Sequence, residues 1–149
     1  MAKPWPAPAK LNLFLHVLRQ RSDGYHQLQT LFQLLDWGDE VFIEPQDRHK
    51  IARPKASHPV ADADDLVVRA ALLLQAETGC GLGAQIEVRK RIPAGAGLGG
   101  GSSDAATVLL VLNQLWACGL SLDELALIGL RLGADIPLFI RGSSALAGG

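Results

Sequence analysis

The chain has 149 residues, 48% of them hydrophobic, and a formal net charge of −1, which suits one compact domain with enough apolar surface to build a core. No uninterrupted apolar run approaches the ~20 residues of a membrane span, and Met1 to Pro6 lacks the apolar stretch of a secretory signal, so the composition points to a cytoplasmic protein without a membrane partner. The densest basic group, Arg89-Lys90-Arg91, is too short for a nucleic-acid tract. Cys80 and Cys118 have no CxxC spacing or companion ligands, so they read as buried reduced thiols and no metal site is expected.

In chain order, residues 10–18 alternate as a half-buried strand, with Asn12 and His16 on one face and Leu11, Leu13 and Leu15 on the other. Ser22-Asp23-Gly24 signals a turn. A second strand follows at Leu28–Leu35, a turn at Asp36-Trp37-Gly38-Asp39, and a third strand at Glu40–Glu44. Residues 46–63 are polar and without period, a loop. Helical spacing starts at Leu66 and runs to Leu74, with Gly79 and Gly81 as the stop. Ala84–Arg89 alternates as a strand, then a glycine-rich loop leads into an apolar helix from about Ser103 to Trp116. Ser121-Leu122-Asp123-Glu124 is a capping box for a helix that ends at Leu132-Gly133. Pro137 argues against helix immediately beyond, and Ser143–Ala147 reads as a strand that stops without a closing element, as though a second domain were needed.

The informative segment is Pro93-Ala94-Gly95-Ala96-Gly97-Leu98-Gly99-Gly100-Gly101-Ser102-Ser103. Glycines this dense let backbone amides approach an anion closely, and the helix that follows presents its positive dipole end to phosphate. Ser102 and Ser103 add hydroxyl donors there. Gly95, Gly97 and Gly100 also satisfy GxGxxG. The dinucleotide fingerprint, however, requires an acid at the end of the next strand, and the candidates Asp123 and Glu124 fall at a helix start. A Walker loop requires Gly-Lys-Ser/Thr, and no lysine follows these glycines. A flexible hinge seldom joins an alternating strand to so apolar a helix. The segment therefore reads as a phosphate cradle.

Phosphoryl transfer also needs a cation for the developing charge and a carboxylate for the acceptor hydroxyl. Lys10, with Asn12 two residues on, and Asp135, set among apolar residues, are the candidates. A buried Asp135 needs a partner, and Lys10 would serve. Spacing alone leaves two readings open: an active pair, or a turn-capping Asp135 and a solvated Lys10.

Four stretches in order carry a resemblance: Pro8-Ala9-Lys10-Leu11-Asn12-Leu13, Asp23-Gly24-Tyr25-His26 with Leu28 and Thr30, Pro93 to Ala106, and Leu132-Gly133-Ala134-Asp135-Ile136-Pro137. Together they resemble the GHMP kinases, named for galactokinase, homoserine kinase, mevalonate kinase and phosphomevalonate kinase. Within that family they are similar to the branch acting on 4-diphosphocytidyl-2-C-methyl-D-erythritol in non-mevalonate isoprenoid biosynthesis. The resemblance implies an α+β N-terminal domain of the ribosomal-protein-S5-like type over residues 1–149, with a C-terminal GHMP domain absent. It implies ATP and Mg2+ as reactants and phosphorylation of the substrate's 2-hydroxyl. It makes Asp135 the base or orienting carboxylate, Lys10 its cationic partner and Asn12 a substrate contact. Tyr25, His26 and Phe32 would hold the cytosine end, and Pro93 to Ser103 would wrap the ATP phosphates. Family members commonly carry asparagine where this chain has Asp65, a position that reads adenine; an aspartate still accepts from the adenine amino group. His16, His49 and His58 read as structural or solvated. Kinases for another alcohol, such as homoserine or mevalonate, and a non-catalytic nucleotide-binding module are the alternatives. With half the cleft missing, little turnover is expected of these residues alone.

Overall fold

A computed structural model describes residues 3–15, 29–53, 65–93 and 99–146. Among these residues, four strands and four helices follow in the order β1 (Pro4–Leu15), β2 (Gln29–Gln46), β3 (Ile51–Ala52), α1 (Leu66–Thr78), β4 (Gly83–Arg89), α2 (Gly100–Leu115), α3 (Leu122–Leu132) and α4 (Ile136–Leu146). The sheet runs β1-β2-β4-β3. β2 pairs antiparallel with both β1 and β4, and the short β3 pairs parallel with β4. This is the α+β architecture expected from the sequence.

β1 lies at the sheet edge, the place where a strand carrying Pro4, Pro6 and Pro8 is tolerated, because proline has no ladder donor. Its register against β2 shifts between Pro8 and Lys10. The residues Asp36-Trp37-Gly38-Asp39, expected to turn, instead continue one long strand. The irregularity explains their composition: a Cβ on Gly38 would stand 2.2 Å from the Ala7 carbonyl oxygen, so only glycine lets the strands approach.

Helices cover one face of the sheet. β4 shows it most simply: Ala84, Ile86 and Val88 are buried while Gln85 and Arg89 are exposed. Val41 and Ile43 of β2 join them, and Leu74 of α1, Val108, Leu109 and Leu112 of α2, and Ile136, Phe139 and Ile140 of α4 complete one core. Each of the larger side chains, Val, Leu, Ile and Phe, contributes about 1.5–3 kcal/mol on burial. Two long-range bonds pin α2 to the sheet, Thr107 Oγ1 to the Pro6 carbonyl at 3.0 Å and Trp116 Nε1 to the Gly83 carbonyl at 3.0 Å.

Three further expectations change. The segment read as loop contains β3, whose parallel pairing a two-residue strand cannot announce by periodicity. α2 starts at Gly100 rather than Ser103, with Gly99 in the left-handed region at φ 72° as its cap. Where a strand is expected over Ser143–Ala147, the described residues through Leu146 end a helix, α4, and Ala147 lies outside them; Pro137 falls in its first turn, where a missing amide hydrogen costs nothing. The α3 capping box forms in both directions between Ser121 and Glu124. α1 runs past Leu74 to Thr78, closed by Gly79 at φ 67°.

Candidate active site

Lys10 stands just past the β1 irregularity and Asp135 just before α4, 125 positions apart in the chain, and Lys10 Nζ donates to Asp135 Oδ2 at 3.1 Å. The face assignment differs from simple alternation: Lys10 is buried and Leu11 is outward and 39% exposed. The two partners are unequal, for the Lys10 side chain is 7% exposed and that of Asp135 48%. A cation held in the protein thus presents a carboxylate to solvent.

The end of the glycine loop lies against this pair. A Cβ on Gly99 would stand 2.7 Å from Phe139 Cζ and 3.6 Å from Lys10 Cε. The close approach and the positive φ both demand glycine, and both bring the amino end of α2 beside Lys10. Ser102 at that helix end is partly exposed; Ser103 is fully buried and its Oγ finds no hydrogen-bond partner among the described residues. Residues 94–98, carrying Ala94, Gly95, Ala96, Gly97 and Leu98, lie outside the described residues, as do Tyr25, His26, His16 and His58. Asn12 and Phe32 are register partners across β1 and β2, one residue pair beyond Leu11 and Gln33. His49 is exposed.

Asp65 is the N-cap of α1. Its Oδ1 accepts from the Val67 amide at 3.0 Å and its Oδ2 from Arg53 Nη1. The Arg53 guanidinium is buried, with Nε and Nη2 unpaired among the described residues.

The loop's stems carry a second charged group that the sequence pattern does not single out. Asp39 of β2 is buried; its Oδ1 accepts from the amides of Arg91 at 2.6 Å and Ile92 at 2.9 Å, and its Oδ2 from Lys90 Nζ at 2.7 Å. Lys90 Nζ donates onward to Asp104 Oδ2 in α2 at 3.0 Å. Burial works to raise the Asp39 carboxyl, but bonds from Asp104, the two amides and Lys90 outweigh it and hold the group below the usual range. Burial would lower the Lys90 ammonium, yet its bond to Asp39 and the two neighbouring carboxylates raise it. Asp104 is pushed up to about 8, by burial first and then by sharing a hydrogen bond with Asp39. The sequence signal for this group is weak, since Asp39 sits in a turn-like tetrapeptide and Asp104 among small residues.

The thiols Cys80 and Cys118 are free and partly buried, and burial raises that of Cys118. Among the described residues no group of three His, Cys, Asp or Glu converges as a metal site, and no helix is long and apolar enough to cross a membrane.

Comparison with known proteins meets this geometry. Residues 65–143, which include α1, β4, the glycine loop, α2, α3 and Asp135, match the family model of the GHMP kinases N terminal domain. A protein of Xanthomonas campestris pv. campestris named 4-diphosphocytidyl-2-C-methyl-D-erythritol kinase is 61% identical over 146 residues, 97% of this chain and 50% of that protein. One of the same name from Xanthomonas oryzae pv. oryzae is 59% identical over the same shares. Among solved structures, a 4-(cytidine 5'-diphospho)-2C-methyl-D-erythritol kinase is similar with TM-score 0.74 and 41% identity, over 95% of this chain and 49% of that one. The Methanococcus jannaschii mevalonate kinase shares the fold, with TM-score 0.65 at 14% identity over 93% of this chain and 47% of that one. The chain spans about half the length of the curated relatives it matches. With the matched segment enclosing the loop and Asp135, the chain belongs to the GHMP kinase family.

Proposed function

We propose that this chain is the ATP-binding half of a kinase that phosphorylates the 2-hydroxyl of 4-diphosphocytidyl-2-C-methyl-D-erythritol, a cytoplasmic step of isoprenoid biosynthesis. The observation that carries the reading is the Lys10–Asp135 pair set against the amino end of α2 at Gly99. Relatives at 59% and 61% identity named for that reaction support the choice of substrate.

The loop from Pro93 through Gly101 to Ser102 and Ser103 turns its amides toward the ATP phosphates, and the α2 dipole adds to their hold. Asp135, open to solvent on one side, accepts a hydrogen bond from the 2-hydroxyl and takes its proton as the oxygen bonds to the γ-phosphorus, the bond to the bridging oxygen breaks and ADP leaves. Lys10 holds the Asp135 carboxylate in place through its hydrogen bond, and offers positive charge where phosphoryl oxygens gather it. Catalysis then rests on positioning and electrostatics. Asn12 contacts the substrate beside the pair, and Phe32, its register partner, lines the pocket in which Tyr25 stacks on cytosine and His26 bonds its edge. Asp65 has a lone pair left on each oxygen to take the adenine amino group. Magnesium would enter on the nucleotide phosphates and supply charge neutralisation there. A C-terminal GHMP domain closes the other side of the cleft, in keeping with the length of the relatives.

The test is steady-state kinetics of the full-length polypeptide on a panel of the diphosphocytidyl compound, homoserine and mevalonate. Selective turnover of the first is expected; equal or better turnover of another alcohol sinks the substrate assignment.

A further inference from the structure

Among the described residues, Lys90 bridges the two segments that flank the glycine loop. Lys90 leaves the end of β4 on one stem of the loop and reaches Asp104 in α2 on the other, at 3.0 Å, while Asp39 of β2 holds the same ammonium at 2.7 Å and the amides of Arg91 and Ile92 as well. Gly100 lies under this bridge: a Cβ there would stand 3.2 Å from Lys90 Nζ and 3.1 Å from Ile92 Cγ2. Two carboxylates, 2% and 3% exposed as residues, flank one ammonium. Asp39 spends its charge on Lys90 and two amides, whereas Asp104 Oδ1 is buried with no hydrogen-bond partner among the described residues.

The surrounding charges do not restore balance. From β1, Lys10 is turned to Asp135. From the α1 end, Asp65 is turned to Arg53. On the β2 and β4 side, Glu40 pairs at the surface with Arg89 and Arg91. Among the described residues, Lys90 and Asp39 are the charged groups left to face Asp104. Two close buried carboxylates that share one cation cannot both be ionised without a large desolvation penalty.

We propose that Asp39, Lys90 and Asp104 form a proton-holding clamp at the base of the nucleotide loop, and that phosphate binds with Asp104 protonated. Protonated, the three groups sum to no net charge, and the Asp104 hydroxyl donates to Asp39 while Lys90 spans the stems. Ionised, Asp104 places a negative charge in the first turns of α2, opposing the dipole that draws phosphate and loosening the bridge. Lys90 and Asp104 are positioning residues here, acting through the loop. The clamp rests on the phosphate-cradle reading and adds a linkage between nucleotide and one proton.

Calorimetric titration of the full-length polypeptide with magnesium and ADP tests it. With Asp104 at about 8, affinity is expected to fall about tenfold between about pH 7 and about pH 9 when binding requires the protonated form. Asp104→Asn, which keeps a donor toward Asp39 and an acceptor for Lys90, is expected to lose that fall, so the ratio of the two Kd values cancels titration of the ligand itself. Parallel profiles for wild type and variant overturn the clamp and leave the cradle standing. Binding at no pH overturns both. Carboxyl 13C NMR of the wild type decides the matter should the variant fail to fold: an Asp104 signal still protonated at about pH 7 is expected, and one already ionised at about pH 6 overturns the proposal.

Discussion

Two lysine–aspartate groups lie on either side of the same helix start, and they are built in opposite ways. At Lys10–Asp135 a buried cation meets a carboxylate that is half open to solvent. At Asp39–Lys90–Asp104 one cation meets two carboxylates, both buried, with the lysine side chain 30% exposed. The first leaves its carboxylate a face open to solvent, as the proposed uptake of a substrate proton requires. The second has surplus acid and little access, which suits a group that fixes the backbone around it. Burial, more than residue type, separates chemistry from scaffolding.

The sharpest way to break this contrast is Asp135→Asn. The amide still bonds Lys10 but cannot take a proton, so kcat of the full-length enzyme should drop by about 10²–10⁴-fold with ADP affinity held within a few-fold. A variant that keeps most of its turnover would reduce Asp135 to a turn residue and erase the difference between the two groups.

Next in size is Lys90→Met. Removing the shared cation leaves Asp39 and Asp104 facing each other in the interior, and breaking a buried pair from one side costs about 3–5 kcal/mol. Urea unfolding at neutral pH should show that loss. Acidification should restore part of it, because a proton on Asp39 then removes the unpaired charge left in the interior.

Sequence pattern makes one group legible and hides the other, for physical reasons. The dense glycines and the helix they open can be recognised because an anion cradle needs small residues at a helix start, and Gly99 has both the positive φ and the close approach that this reading requires. Spacing leaves the pairing of Lys10 with Asp135 open, and only the fold, which sets them 3.1 Å apart with Asp135 half exposed, brings the two together. Asp39 is hidden because Asp-Trp-Gly-Asp has turn composition; its glycine serves a strand register shift instead, and only pairing with β1 reveals that. Asp104 looks like a polar helix residue until the sheet brings Lys90 against it. α4 escapes the sequence pattern because proline weighs as a helix breaker, whereas in a first turn it is neutral. Long-range contacts carry the missing information in each case.

Asp104→Asn gives an effect that changes with pH and has a definite sign. The native carboxyl is raised to about 8 from its ordinary 3.8, so between those values the folded chain holds a proton that the unfolded chain has released. Stability from this group is therefore fully present below about pH 4, declines as pH rises through the window, and is gone above about pH 8. The asparagine variant carries no such decline. Its stability relative to wild type should improve steadily from about pH 4 to about pH 8 and then level off; a difference that stays flat across the window contradicts a protonated native Asp104. Asp39 works in the other direction, stabilising above the ordinary carboxylate range and losing that contribution as acid protonates it.

The smallest effect comes from the residue next to Asp39. Glu40 faces the other side of β2 and meets Arg89 at 3.3 Å and Arg91 at 3.5 Å, with Arg89 68% exposed. Water and salt screen such a pair, and holding two long side chains in place costs entropy, so Arg89→Gln should change stability by less than about 1 kcal/mol. Raising the ionic strength should shrink even that difference, while leaving the penalty of Lys90→Met nearly intact because its carboxylates are shielded from counterions. If both substitutions responded alike to salt, burial would not be what distinguishes the clamp at Asp39 from the surface pair one residue away.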